Sequence, residues 1–350
     1  MKNRWRKIII FGLLCMLAVT GCSKTKAKNQ TKESDTKTES SDDIFAMDTY
    51  MSLKAYGSHG EKAIKAAKKE IHRLDALWSV GESQSEITRL NKEKKLKVSK
   101  ETVELVKDSK KIWEETNGAF DLTVYPLMEA WGFTTQKYRI PSEKEIKNYL
   151  KLSIGMNRVQ VDETSQTITL DKNAKIDLGG IAKGYTSSQV AQIFKKNGVT
   201  SGMMSLGGNV QVIGKKPDGS RWKVGIQSPN DSMDMVGTYE AEDEGVITSG
   251  GYERYFEKDG KTYHHILDPV TGKPSDSNLI SVTIISSDGT SADMLSTTLF
   301  VLGKDKAVSY WKKHQDKFQM ILVDKNNKIY VTQGIKDRFT SDYDVEIVER

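Results

Sequence analysis

Tyr252-Glu-Arg-Tyr-Phe256-Glu-Lys-Asp259-Gly260-Lys-Thr-Tyr263-His264-His265-Ile-Leu267 is the stretch on which the fold class turns. Two runs of strand character, Tyr252–Phe256 and Tyr263–Leu267, flank Asp259-Gly260, and Asp-Gly between such runs signals a tight antiparallel hairpin. The same logic pairs Arg158–Asp162 with Thr167–Asp171 and folds Phe318–Thr332 on itself. Further strands are predicted at Met47–Tyr56, Met203–Leu206, Trp222–Ile226, Gly237–Ala241 and Ile280–Ser286. Helices interrupt them. Ile64, Ala67, Ile71, Leu74 and Trp78 recur at three or four residues and give Glu61–Trp78 one apolar face. A second helix, Glu101–Thr116, stops at Asn117-Gly118. A third opens at Ser142, with Glu145 in capping-box position, and Ser291–Leu302 and Lys304–His314 follow. Strands pairing with chain neighbours, and no regular βαβ alternation, predict an α+β fold of mixed, largely antiparallel sheets with flanking helices.

With 350 residues, 53 Lys and Arg against 47 Asp and Glu, 27 Gly, 6 Pro and 2 Cys, the chain has ample length for a full core and a near-average composition. Disorder throughout, a collagen repeat and a disulfide-stapled miniature are excluded. Lys2, Arg4, Arg6 and Lys7 precede an apolar run, Ile8–Val19, that is too short to span a bilayer and has the layout of an export signal. Val19-Thr20-Gly21-Cys22 resembles a bacterial lipobox, so residues 1–21 are expected to be removed and Cys22 lipidated, placing the protein on the extracytoplasmic face of the cell membrane. Loss of those four cations lowers the formal charge of +6 by four. With no Lys/Arg stripe interleaved with aromatics, nucleic-acid binding is not expected. Cys15 leaves with the signal, so thiol catalysis and cysteine-based zinc sites are excluded. Residues 22–43 are polar, lack aromatics and read as a tether; the folded domain is expected over 44–350.

Four segments carry candidate chemistry. In Lys175-Ile-Asp177-Leu-Gly179-Gly180-Ile-Ala-Lys183-Gly184-Tyr185 a glycine pair opens a helix, where bare backbone N–H groups favour an anion. Lys183 in the first turn opposes the helix dipole unless an anion lies near, and Asp177 offers an acceptor for a base edge or ribose hydroxyl. In Ser291-Ala-Asp293-Met-Leu-Ser296-Thr297, Asp293 and Thr297 share a helical face one turn apart. Hard oxygens so few in number suit Mg²⁺, which completes its shell with phosphate and water. His264 and His265 point to opposite faces of a strand, so at most one serves a given site; histidine is the natural proton carrier near neutral pH. Gly118-Ala119-Phe120-Asp121 is a loop suited to a flat ring. Each segment alone is an ordinary structural feature.

Together and in this order, with Ala46-Met47-Asp48-Thr49, Ser85-Glu86 and Asn91, Leu206-Gly207-Gly208-Asn209, Thr248-Ser249-Gly250 and His265-Ile-Leu-Asp-Pro269, they resemble the FAD:protein FMN transferase (ApbE) family. The resemblance spans the folded region from about Ile44. It implies an active site in a cleft between two subdomains and an enzyme that binds FAD as substrate with Mg²⁺. Such an enzyme splits the pyrophosphate, releases AMP and attaches FMN to a Thr or Ser of an exported or membrane acceptor protein. It assigns Met47, Ala119, Phe120, Asp121, Asp177, Lys183 and Leu267 to FAD. It assigns Gly180 (by its carbonyl), Asp293, Thr297 and Ser296 to the metal, and His265 to proton transfer. Asp48 stands where the family commonly has Gly, and Gly81 where an aromatic is common, with Trp78 nearby. Two other readings stay open: a lipid-anchored carrier that only captures flavin, and a hydrolase that splits FAD into FMN and AMP.

Overall fold

The computed structural model describes residues 37–350; Cys22, the signal and most of the tether lie outside them. Nine strands form the main sheet: β1 Glu39–Ala46, β2 Thr49–Tyr56, β3 Gly202–Leu206, β4 Asn209–Ile213, β5 Gly245–Gly250, β6 Leu279–Ser286, β7 Gln319–Asp324, β8 Ile329–Thr332 and β9 Val345–Val348. Their order in the sheet is their order in the chain. Every neighbouring pair is antiparallel except β8–β9. The sheet is a meander into which everything else is inserted; of the three predicted hairpins only Phe318–Thr332 belongs to it, the other two forming small sheets of their own. This is the α+β class.

The helices are α1 Gly60–Trp78, α2 Glu86–Glu93, α3 Lys100–Glu115, α4 Tyr125–Trp131, α5 Glu143–Leu152, α6 Ala182–Lys196, α7 Gly289–Leu302 and α8 Lys304–His314. The apolar stripe of α1 is buried at the predicted spacing; Ile64, Ala67 and Ile71 pack, with Val190 and Phe194 of α6, on Met51, Leu53 and Met204 of the sheet, while Leu74 and Trp78 enter a neighbouring core. The capping box of α5 forms in both directions between Ser142 and Glu145. On the sheet's other face a small sheet of Trp222–Gln227, Met235–Ala241 and Phe339–Thr340 closes a second core around Tyr239, Val246 and Ile321. A separate apolar cluster, Leu127, Trp131, Phe133, Ile146 and Leu267, builds a lesser lobe around α4 and α5.

Two expectations are corrected. Among the described residues the first strand starts at Glu39, inside the expected tether. Polar residues hold that strand through charge: Glu39 accepts from the Tyr56 hydroxyl at 2.7 Å and meets Lys54 at 2.9 Å, while Asp42 pairs with Lys68. Composition reports the lack of burial but is blind to partners on neighbouring elements. The strand expected from Met47 starts only at Thr49, because Met47 and Asp48 have φ of 51° and 58° and form the two-residue turn of the β1–β2 hairpin. Among the described residues no helix is long and apolar enough to cross a membrane.

Candidate active site

A cavity of about 590 Å³ opens where the β1–β2 and β3–β4 turns, the C-terminal end of β5 and the first turns of α6 and α7 converge against the lesser lobe. Its size is ordinary for a small-molecule site. Met47, Ala119, Phe120, Asp121, Asp177, Gly180, Lys183, His265, Leu267, Asp293 and Thr297 all line it. Segments up to 250 residues apart in the chain thus meet at one place.

One wall is a helix crossing. A Cβ on Gly184 would lie 2.2 Å from the Gly289 carbonyl oxygen and 2.4 Å from Asp293 Cβ, so only glycine lets α6 and α7 approach this closely. The contact brings the Gly184 N–H to 2.8 Å from one Asp293 carboxylate oxygen, and the Asn209 amide donates to the other at 3.1 Å. Asp293 is 5% exposed. Burial pushes its carboxyl above the usual range, opposed by the Lys183 charge and by these two hydrogen bonds. Thr297 lies one turn on, its hydroxyl 3.2 Å from Ser249 Oγ on β5.

Ser296 is the exception among the candidates. It is fully buried and does not reach the cavity; its hydroxyl donates to the Asp293 carbonyl at 2.8 Å and lies 2.7 Å from Ser249 Oγ. Ser296, three residues after Asp293, is close to its helical face, but its hydroxyl is taken up by the Asp293 carbonyl and Ser249. Ser249 takes the cavity-lining place instead and links the two helix hydroxyls. Asn209 and Ser249 were legible only as parts of short motifs without a role.

The facing wall is made of turns. Asp121 is buried and accepts from the Thr123 N–H at 2.7 Å and the Thr123 hydroxyl at 2.5 Å. Burial outweighs these bonds and raises its carboxyl to about 6. A Cβ on Gly180 would touch the Phe120 ring at 3.0 Å, so the ring lies directly over the glycine pair. Met47 packs on α6 with its sulfur 3.7 Å from the Thr186 hydroxyl, at the junction of two cores. Asn91 fastens the approach to Asp177: its amide donates to the Ile176 carbonyl at 2.8 Å and its oxygen accepts the Ile176 N–H at 2.7 Å. Asp177 accepts the Gly179 N–H at 2.7 Å, and loss of water raises its carboxyl.

The two histidines point different ways, although the strand ends at His264 and His265 lies in the bend that follows. His264 turns inward, with Nε2 donating to the Ser275 carbonyl at 3.1 Å and its ring edge-on to Phe300. His265 lines the cavity, with Nδ1 3.1 Å from the Arg254 carbonyl. A carbonyl only accepts, so Nδ1 carries the proton and the Nε2 lone pair is left for other work. Desolvation, helped by the Arg254 charge, lowers the imidazole to about 3, which keeps it neutral at physiological pH. The strand before it begins at Tyr255 rather than at Tyr252. This frees Glu253 and Arg254, which the sequence reading placed inside a strand, to line the cavity. Trp78 does not serve it: its indole N–H donates to Thr102 at 2.8 Å and its ring meets Tyr185 edge-on. Asp48 lines the cavity and Gly81 does not.

The ApbE family profile matches residues 47–322. The FAD:protein FMN transferase of Klebsiella pneumoniae (strain 342) is 33% identical over 293 residues, covering 82% of this chain and 90% of that protein. The crystal structure of the ApbE protein of Thermotoga maritima MSB8 matches with a TM-score of 0.80 at 33% identity, over 86% of this chain and 99% of that one. The apo form of the Pseudomonas stutzeri flavinyl transferase ApbE gives 0.73 at 29% identity, over 82% and 92%. The profile spans every residue that lines the cavity, and the chain belongs to the ApbE family.

Proposed function

We propose that the protein is an FAD:protein FMN transferase that uses Mg²⁺, releases AMP and works from the outer face of the cell membrane on a lipid attached to Cys22. The observation that carries the reading is one cavity receiving a buried carboxylate, a hydroxyl one helical turn away, a lysine and a neutral imidazole with an open nitrogen. The names of the relatives at 33% identity support the same activity.

The donor set suits the metal. Among the described residues no cluster of three or more His, Cys, Asp or Glu could hold an ion alone. Mg²⁺ asks for less: one or two carboxylates, a few neutral oxygens, and substrate phosphates with water for the rest. Asp293, the Thr297 hydroxyl and the Gly180 carbonyl would be such a set, and a buried carboxylate hydrogen-bonded only by neutral donors still favours a cation. Bound there, Mg²⁺ draws charge off the phosphoryl oxygens and eases the departure of AMP.

The remaining work falls to side chains. Lys183 offsets the negative charge of the two phosphates at the start of α6. Ala119, Phe120 and Leu267 offer the flavin an apolar face, with Asp121 a buried acceptor beside it and Asp177 an acceptor at the cavity wall. His265 Nε2 takes the proton of the acceptor hydroxyl as its oxygen bonds to the FMN phosphorus. The phosphorus–oxygen bond to AMP breaks and its electron pair leaves with AMP. The phosphates counter the Arg254 and Lys183 charges that help hold the imidazole down, so substrate binding raises its basicity.

The test is to incubate the purified protein with FAD, Mg²⁺ and a flavin-free acceptor. The expected products are AMP and an acceptor band that stays fluorescent after denaturation. FAD returned intact identifies a carrier, and FMN found only free in solution identifies a hydrolase.

A further inference from the structure

The tip of the β1–β2 hairpin, Met47 to Thr49, is part of the cavity wall. Tyr50, the next residue, is 79% exposed, and Phe45, two residues before Met47, is 59% exposed. They are register partners and pack against each other edge-on at 5.2 Å. Ala46 and Met51, next along each strand, are buried in the core. The exposed face of this hairpin therefore presents two aromatic rings within two residues of the cavity-lining turn. The pattern repeats around it: Tyr255, 46% exposed, follows the cavity residue Arg254, and Val270, 67% exposed, follows Pro269. Large apolar side chains left in water beside an opening mark a contact surface, and aromatic anchors dominate such contacts.

We propose that Phe45 and Tyr50 seat the acceptor protein, gripping an apolar side chain next to the hydroxyl-bearing residue on an extended acceptor loop. The inference rests on the transferase reading. A second substrate that is a protein must bring its hydroxyl to the cavity, so its flanking residues meet whatever borders the opening. Phe45 and Tyr50 flank the cavity-lining turn and are apolar, so the complementary loop is apolar on at least one side of its Ser or Thr. FAD fills the cavity without needing either ring of the hairpin.

The experiment compares wild type with the double variant Phe45→Ser, Tyr50→Ser. It uses an exported electron-transfer protein with a known Ser/Thr flavin-attachment site, purified flavin-free. The expected result is a rise of about tenfold in KM for the acceptor, with kcat, FAD affinity and acceptor-independent FAD cleavage by water unchanged. The aromatic-conserving pair Phe45→Tyr, Tyr50→Phe should keep the wild-type KM, which separates docking from a merely structural role of the ring contact. An unchanged acceptor KM in the serine variant overturns the proposal while leaving the transferase reading in place. A wild-type dimer that the serine variant dissociates in light scattering assigns the rings to a second copy of the chain and also overturns it. A wild type that binds FAD but labels no acceptor overturns the transferase reading itself, and the docking proposal with it.

Discussion

The wall of the cavity carrying Asp293 and the wall carrying His265 are built by opposite means. Asp293 and Thr297 stand on a helix pressed so closely against α6 that Gly184 leaves no room for a methyl group, and Asp293 is bonded from both sides. Met47, Asp121, Asp177 and His265 hang from turns and strand ends, placed by loop hydrogen bonds and side-chain packing rather than by a helix crossing. Helices in close contact hold a charge where a fraction of an ångström matters, as at a metal and a phosphorus. Turns can differ in sequence without disturbing the sheet, which suits the side that must fit a flavin and an acceptor. Asp48 sits on the turn side and not at the crossing.

Changes at the crossing should therefore cost more than changes at the turns. Asp293→Asn keeps the shape and removes the charge; Mg²⁺-dependent AMP release should fall by on the order of 10³-fold or more, measured by chromatography at saturating FAD. A loss under tenfold would break the comparison at its strongest point. His265→Gln should lower transfer by about 10²-fold while FAD affinity, read by flavin fluorescence, holds. Gly184→Ala should cost about 1–3 kcal/mol of stability by overpacking, seen as a lower melting temperature, and should lower activity together with it. An active Gly184→Ala protein of unchanged melting temperature would mean that the crossing is not the rigid side.

A pH profile sharpens the same contrast. With the free-enzyme imidazole lowered to about 3, the acid limb it imposes on kcat/KM lies far below the ordinary 6.5. Its stability contribution has the sign of a depressed group: it is present above the unfolded value near 6.5 and is lost as pH falls toward about 3. His265→Gln should therefore flatten denaturant stability in that window relative to wild type. Asp121, raised to about 6, carries the opposite sign: its ionised form opposes folding as pH rises from 3.8 through about 6.

Much of this architecture is legible locally. The stripe of α1, the Ser142/Glu145 capping box, the Asp259-Gly260 hairpin and the shared face of Asp293 and Thr297 all follow from spacing and turn chemistry within a few residues. Helix periodicity also sufficed to separate Asp293 from its neighbours, but not to say that Ser296 faces Ser249 rather than the cavity. Strand alternation limited the site to one of two histidines. The choice of His265 came with the family likeness and agrees with its place on the cavity wall.

Three things were decided only when distant segments packed. β1 forms from residues of tether composition because Tyr56, Lys54 and Lys68 supply partners for its acids. Asp293 gains its donors from Gly184 and Asn209, 109 and 84 positions away. Glu253 and Arg254 join the site because their hairpin begins late. The chain by itself determines helices, hairpins and the kinds of chemistry available, since periodicity, capping and turn preferences act between near neighbours. Which carboxylate is buried, which imidazole nitrogen is left open and which serine reaches the cavity depend on contacts that exist only after the sheet has closed.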